Sequence, residues 1–115
     1  MSQQNLAILS LPLVLAGTVI ANRLVTAAGA QAGAGANTYG VSRSSGVATE
    51  RVTVDVMGTA MIEAGAAVAV GDTLKSDASG RAITWVTSGA KVGLALEAAS
   101  AAGQMIEVLL IPNVA

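Results

Sequence analysis

The chain has 115 residues and a formal net charge of −1; 53% of the residues are hydrophobic, whereas only 11% are charged. The six lysines and arginines are scattered, so the sequence lacks the basic surface that nucleic-acid binding requires. Cysteine and histidine are absent, which excludes disulfides, zinc–thiolate sites and catalysis by a thiol or an imidazole.

An apolar segment lies near the start of the chain. Residues 6–21 are nearly all apolar, but the segment is shorter than the roughly 20 residues that span a bilayer, and Pro12 interrupts it. Because no lysine or arginine precedes Arg23, the basic start of a signal peptide is also missing. We therefore predict neither membrane insertion nor export by this segment.

We interpret residues 1–12 as an extended N-terminal arm and residues 13–115 as a single β domain. The arm ends at Pro12, because proline cannot donate a hydrogen bond to a sheet. An apolar arm outside a membrane has to pack against its own core or against a neighbouring subunit. The large aliphatic residues of the arm and of the domain's first position are therefore predicted contact residues: Leu6, Ile8, Leu9, Leu11 and Leu13.

The domain begins with a predicted strand over residues 13–25, bent at Gly17. Residues 27–37 contain almost only alanine and glycine, which favours a flexible or tightly turned loop over a helix.

A short pattern then occurs twice. Residues 40–42 (GVS) lead through small residues into the alternating run at 51–56, and residues 93–95 (GLA) lead in the same way into the run at 105–110. Alternation with a period of two is typical of a strand with one buried face. The pattern indicates two related strand units, although their spacing differs by one residue.

A hairpin is predicted between the two copies. Residues 72–75 and 81–86 flank Asp-Ala-Ser-Gly at 77–80, in which aspartate opens the turn and glycine tolerates a positive φ. Trp85, the only tryptophan, lies at the end of this hairpin. It is either half-buried against the core or an anchor in a subunit interface, where tryptophan is enriched.

These elements predict a mainly β fold: a compact β-sandwich or barrel in one domain, with at most one helical turn at residues 98–102. Phenylalanine is absent and aromatic residues make up only 2% of the chain. Small aliphatic side chains bury little area each, so we expect contacts between subunits to complete the stability of the fold.

The sequence contains no pattern that predicts chemistry. No spacing forces two carboxylates together, and Leu74 and Ser76 break the alternation of ligands that a calcium loop needs. Lys75-Ser76 is preceded by Leu74 rather than by the glycine of a phosphate-binding loop. We therefore expect no enzymatic activity, no metal and no cofactor.

A series of short segments resembles the small capsid decoration (cement) proteins of tailed bacteriophages. The segments are TVDVMG at 53–58, VGDTL at 70–74, DASGRA at 77–82 and VGLALEAA at 92–99. Members of that family often carry an inherited label as RecA- or RadA-like recombinases, which the failed phosphate-loop pattern contradicts here.

The resemblance implies a homotrimeric β domain on the outer surface of the virion capsid, made in the host cytoplasm. Such a protein clamps neighbouring major capsid proteins and needs no nucleic acid, membrane or small-molecule substrate. Two alternatives remain at this point. One is a ligand-binding or enzymatic domain, which would need convergent polar groups; the other is a tail, fibre or surface-layer β module.

Overall fold

The computed structural model describes residues 7–111, which form β-strands and no helix. The eight strands are β1 (Ala7–Val14), β2 (Leu24–Val25), β3 (Gly40–Ser42), β4 (Arg51–Glu63), β5 (Thr73–Ser76), β6 (Ala82–Thr84), β7 (Gly93–Ala95) and β8 (Met105–Leu110). They form one sheet in the order β2-β3-β4-β8-β7-β5-β6, and β1 pairs with β4 outside this path. A parallel bridge between Ala64 and Ala82 brings β6 back to the end of β4, so the sheet is nearly closed. The predicted mainly β domain is confirmed.

One local prediction is wrong. The strand predicted to begin at Leu13 begins at Ala7 and ends at Val14. Pro12 is accommodated because, in the described residues, β1 pairs only with β4 and is an edge strand that can do without one donor. Residues 98–102, for which at most one helical turn was expected, contain no helix, and Ala99 forms an antiparallel bridge with Val68.

The repeated sequence pattern corresponds to a duplicated structural unit. In the first unit (residues 7–56), the first half of β4 lies between β1 and β3, and β3 pairs with β2. In the second unit (residues 57–111), β8 lies between the second half of β4 and β7, and β7 pairs with β5. The long strand β4 therefore joins the two units and belongs to both.

Backbone hydrogen bonds recur at corresponding positions of the two units. The matched pairs are Leu15 N to Glu50 O and Ala64 N to Gln104 O; Val19 N to Gly46 O and Val68 N to Ala99 O; Asn22 N to Ser42 O and Gly71 N to Ala95 O; and Tyr39 N to Val25 O and Val92 N to Leu74 O. Such agreement, including the turns, means that both copies of the sequence pattern fold in the same way.

The core consists of two clusters. The first unit encloses a small cluster of leucine and valine side chains: Leu15, Val19, Val25, Val52 and Val54. The second unit encloses the larger cluster, around Ile62, Leu74 and Ile106. Leu24 and Val41 of the first unit also belong to this larger cluster, so the two units pack against each other and fold as one body.

The predicted hairpin is confirmed as β5 and β6, which pair through Lys75 and Ile83. In its turn, Asp77 Oδ1 accepts hydrogen bonds from the backbone N–H groups of Ser79 (2.8 Å) and Arg81 (2.9 Å). Gly80 has a φ of 76°, the left-handed conformation that glycine adopts readily.

Candidate functional site

Most of the predicted N-terminal contact residues lie in β1. Leu6 and the side chain of Ile8 lie outside the described part of the chain. Leu9 is exposed and forms a cross-strand pair with Met57, which is also exposed. Leu11 and Leu13 are partly buried, and Leu13 packs against the core of the first unit. Of the described residues in the predicted set, Leu9 is therefore the one with the most surface free for a partner.

A buried carboxylate holds β1 on the sheet. Asp55 is 1% exposed, and its Oδ1 atom accepts hydrogen bonds from Ser10 Oγ (2.8 Å) and from Arg43 Nε (2.7 Å). A carboxylate that is removed from water needs such partners, above all a cation. Asp55 thus connects β1, β4 and the residue that follows β3.

Trp85 is half-buried and its polar group is satisfied within the chain. Its indole N–H donates to the carbonyl oxygen of Gly89 (2.9 Å), and Lys91 Nζ lies 4.5 Å from the ring centre. These contacts hold the segment between Trp85 and Gly89, which presents the exposed side chain of Val86. Whether Trp85 itself contacts a partner stays a prediction.

A second exposed apolar pair lies on the outer face of the second unit. Leu94 on β7 pairs with Leu109 on β8, and both side chains are exposed. Their outer neighbours across the sheet are Thr73 and Thr59, so this row of cross-strand partners carries no charge. The sequence contained the signal for Leu109: Ile106, Val108 and Leu110 alternate with it and are buried.

The charged side chains near the contact between the two units are paired with one another. Glu63 accepts from Arg23 (3.2 Å) and lies 3.6 Å from Arg81, which also pairs with Asp77 (3.1 Å).

Among residues 7–111, no group of three or more candidate ligands is placed to hold a metal ion. No helix within that range could cross a bilayer.

Comparison with known proteins gives a family and a fold. The family model for phage cement proteins matches residues 3–110. A crystal structure of the head fibre gp8.5 N base in bacteriophage phi29 is similar, with a TM-score of 0.71 and 19% sequence identity. The similarity covers 90% of this chain and 94% of the phi29 chain. No curated protein matches the chain.

At this level of identity the phi29 structure supports the fold alone. The family model, in contrast, spans almost the whole chain, including both structural units. The chain therefore belongs to the phage cement protein family.

Proposed function

We propose that the protein binds the outer surface of a phage head as a homotrimer and cements neighbouring major capsid proteins, which stabilises the shell. The observation that carries this proposal is the set of exposed apolar side chains on a sheet of a chain with few charges. Eleven large hydrophobic residues are exposed among the described ones, and four of them form two cross-strand pairs, Leu9–Met57 and Leu94–Leu109. Exposed apolar patches of this kind are typical of interaction surfaces.

The Leu9–Met57 pair is the proposed contact with the major capsid protein. It joins the N-terminal strand to the middle of β4, and Ser10 next to it is fixed by Asp55. A rigid apolar surface loses little conformational freedom when it binds. It is therefore suited to a structural contact that has to persist for the lifetime of the particle.

The proposal is tested with heads that lack the protein. Purified protein is added back, bound copies are located by electron microscopy, and the temperature at which heads release DNA is measured. Saturable binding at fixed positions, with a higher release temperature, is the expected result. Mass action explains the stabilisation, because a ligand that binds only the assembled shell favours that state. Binding without any change in release temperature would contradict the cementing role.

A second candidate function is a base that attaches a longer fibre or another projecting module to the head. The similarity in fold to the phi29 head-fibre base favours it over a surface-layer role. Electron microscopy of decorated heads distinguishes the two functions. A cement protein bridges adjacent capsid subunits, whereas a fibre base occupies isolated sites and leaves neighbouring subunits unbridged.

A further inference from the structure

The two structural units differ in how one equivalent position is covered. Val41 on β3 of the first unit and Leu94 on β7 of the second unit are equivalent positions. Val41 pairs with Leu24 on β2, and Leu94 pairs with Thr73 on β5, the strand that corresponds to β2. Val41 is only 2% exposed, whereas Leu94 is 37% exposed. The same surface is therefore covered in the first unit and open in the second.

The second unit is what covers this surface of the first. Asn22 O accepts from Glu63 N (3.0 Å), and Asn22 Nδ2 donates to Met61 O (3.1 Å). Further along the same surface, Leu24 N donates to Gly80 O (2.8 Å). The contact thus joins residues around Asn22 and Leu24 to one edge of β4 and to the β5–β6 turn.

Among the described residues, the second unit makes no equivalent contact with the first unit. The positions of the second unit that correspond to Asn22 and Leu24 are Gly71 and Thr73, and in the described residues no hydrogen bond joins residues 70–73 to β1. Instead, Val70 beside them is 66% exposed. The second unit thus has a free copy of the surface that the first unit uses.

The complementary surface is also free. Glu63, the last residue of β4, pairs with Met105, the first residue of β8. In the same way Val14, the last residue of β1, pairs with Arg51, the first residue of β4. Val14 of the first unit therefore corresponds to Glu63 of the second. Val14 is 51% exposed. The turn that corresponds to the β5–β6 turn contributes the exposed residues Ala27 and Ala28, whose small side chains allow close approach of a partner.

From this repetition we infer that a second copy of the chain docks head to tail. The surface around Val70 and Leu94 of one copy binds the end of β1 and residues 27–28 of the next. The contact continues the interface already present between the two units. The charges near the two surfaces are opposite in sign: Asp72, which accepts from Ala69 N and Thr84 Oγ1, lies two residues after Val70, and Arg51 is the cross-strand partner of Val14. A contact between two different surfaces closes into a ring when the rotation permits.

This inference rests on the proposed homotrimer and names the surfaces that form it. The chain contains no cysteine, so paired cysteines report the interface without background. We choose Val14→Cys together with Val70→Cys. Val14 corresponds to Glu63 and Val70 corresponds to Ala21, and within the chain Glu63 N donates to the carbonyl oxygen of Asn22, the residue after Ala21. A mild oxidant is added to the double variant in solution, and the products are separated without reducing agent.

A ladder of covalent products that ends at the trimer is the expected result. Each single variant should stay monomeric on the gel, because a head-to-tail contact brings different residues together. Val14→Cys with Val47→Cys is the matched control, since Val47 is an exposed valine on another turn of the first unit. This control should give no ladder.

Two outcomes overturn the interface: no product from the double variant, or dimers from a single variant, which would indicate a two-fold contact. Binding of the unsubstituted chain to heads is measured in parallel. If it binds heads while the double variant gives no ladder, only the interface is wrong. If the ladder forms but the unsubstituted chain does not bind heads, the proposed function fails and the interface stands.

Discussion

Gly40 lies directly against the backbone of Asp55. A Cβ atom at Gly40 would overlap the carbonyl oxygen of Asp55, and one at Gly93 would overlap that of Leu109 in the same way. The two glycines begin β3 and β7, the equivalent short strands of the two units. Glycine at both positions thus permits the close approach of each short strand to its long neighbour.

The first prediction concerns these two glycines. Gly40→Ala and Gly93→Ala should each lower the free energy of unfolding by about 1–3 kcal/mol, the usual cost of forcing an added carbon into a packed site. The melting temperature should fall by roughly 4–8 °C per kcal/mol. Gly33→Ala is the control, because nothing lies within 4 Å of its added Cβ. Equal melting temperatures for all three variants would contradict the close approach.

The second prediction concerns Gly80. Valine at a φ of 76° is strained by on the order of 1–2 kcal/mol. Its Cβ would also lie 2.9 Å from Leu24 O, where the turn docks on the first unit. Gly80→Val should therefore lower the melting temperature by more than the backbone strain of on the order of 1–2 kcal/mol would by itself. Ala78→Val introduces the same side chain at an exposed position of the same turn and should change it little.

The strands of the second unit and the β5–β6 turn follow from local sequence, whereas the bounds of β1 and the packing of the units do not. The alternating runs in β4 and β8 and the Asp-Ala-Ser-Gly turn are local signals, and they predict the two strands and the hairpin correctly. The expected solvent-facing positions of Asp55 and Glu107 are wrong, because both residues are buried. The Ala/Gly-rich segment contains no strand, as its composition predicts; yet Gln31 in it donates to Ser79 O in the distant hairpin turn. Because the acceptor is a backbone oxygen, no residue type in the sequence indicates that partner.

The contact surface illustrates the same limit. The predicted set concentrated on the N-terminal leucines because they form a continuous apolar run. Val70 and Leu94 lie outside this run, in segments rich in alanine and glycine, and the packing of the two units leaves them exposed. Knowing that an equivalent residue, Val41, is covered requires the structure of both units.

The third prediction tests the division into an N-terminal arm and a domain. Deleting residues 1–11 should leave a far-UV spectrum of the β type, because both core clusters lie beyond the deletion. The melting temperature should fall, since Asp55 loses the hydrogen bond from Ser10 and β4 loses part of its partner strand. Deleting only residues 1–6 is the matched control and should have a smaller effect. Complete unfolding of the longer deletion would mean that β1 is indispensable for the fold.

The last prediction concerns binding to heads. Leu9→Asp should weaken binding by at least about tenfold, because the proposed contact loses apolar area and has to desolvate a charge. Ala101→Asp adds the same charge in the exposed turn before β8 and should bind normally. Binding is measured as occupancy of heads against free protein concentration. Light scattering should give the same mass for both variants, since Leu9 lies outside the proposed contact between copies.

Salt dependence provides the second part of this test. Only 11% of the residues are charged, and many of those charges are paired within the chain. A contact made mainly by apolar side chains should therefore change little when the ionic strength rises, whereas pairs of exposed charges are screened. Occupancy that falls steeply at moderate salt would mean that the contact is ionic. In that case the Leu9–Met57 pair would not be the capsid contact.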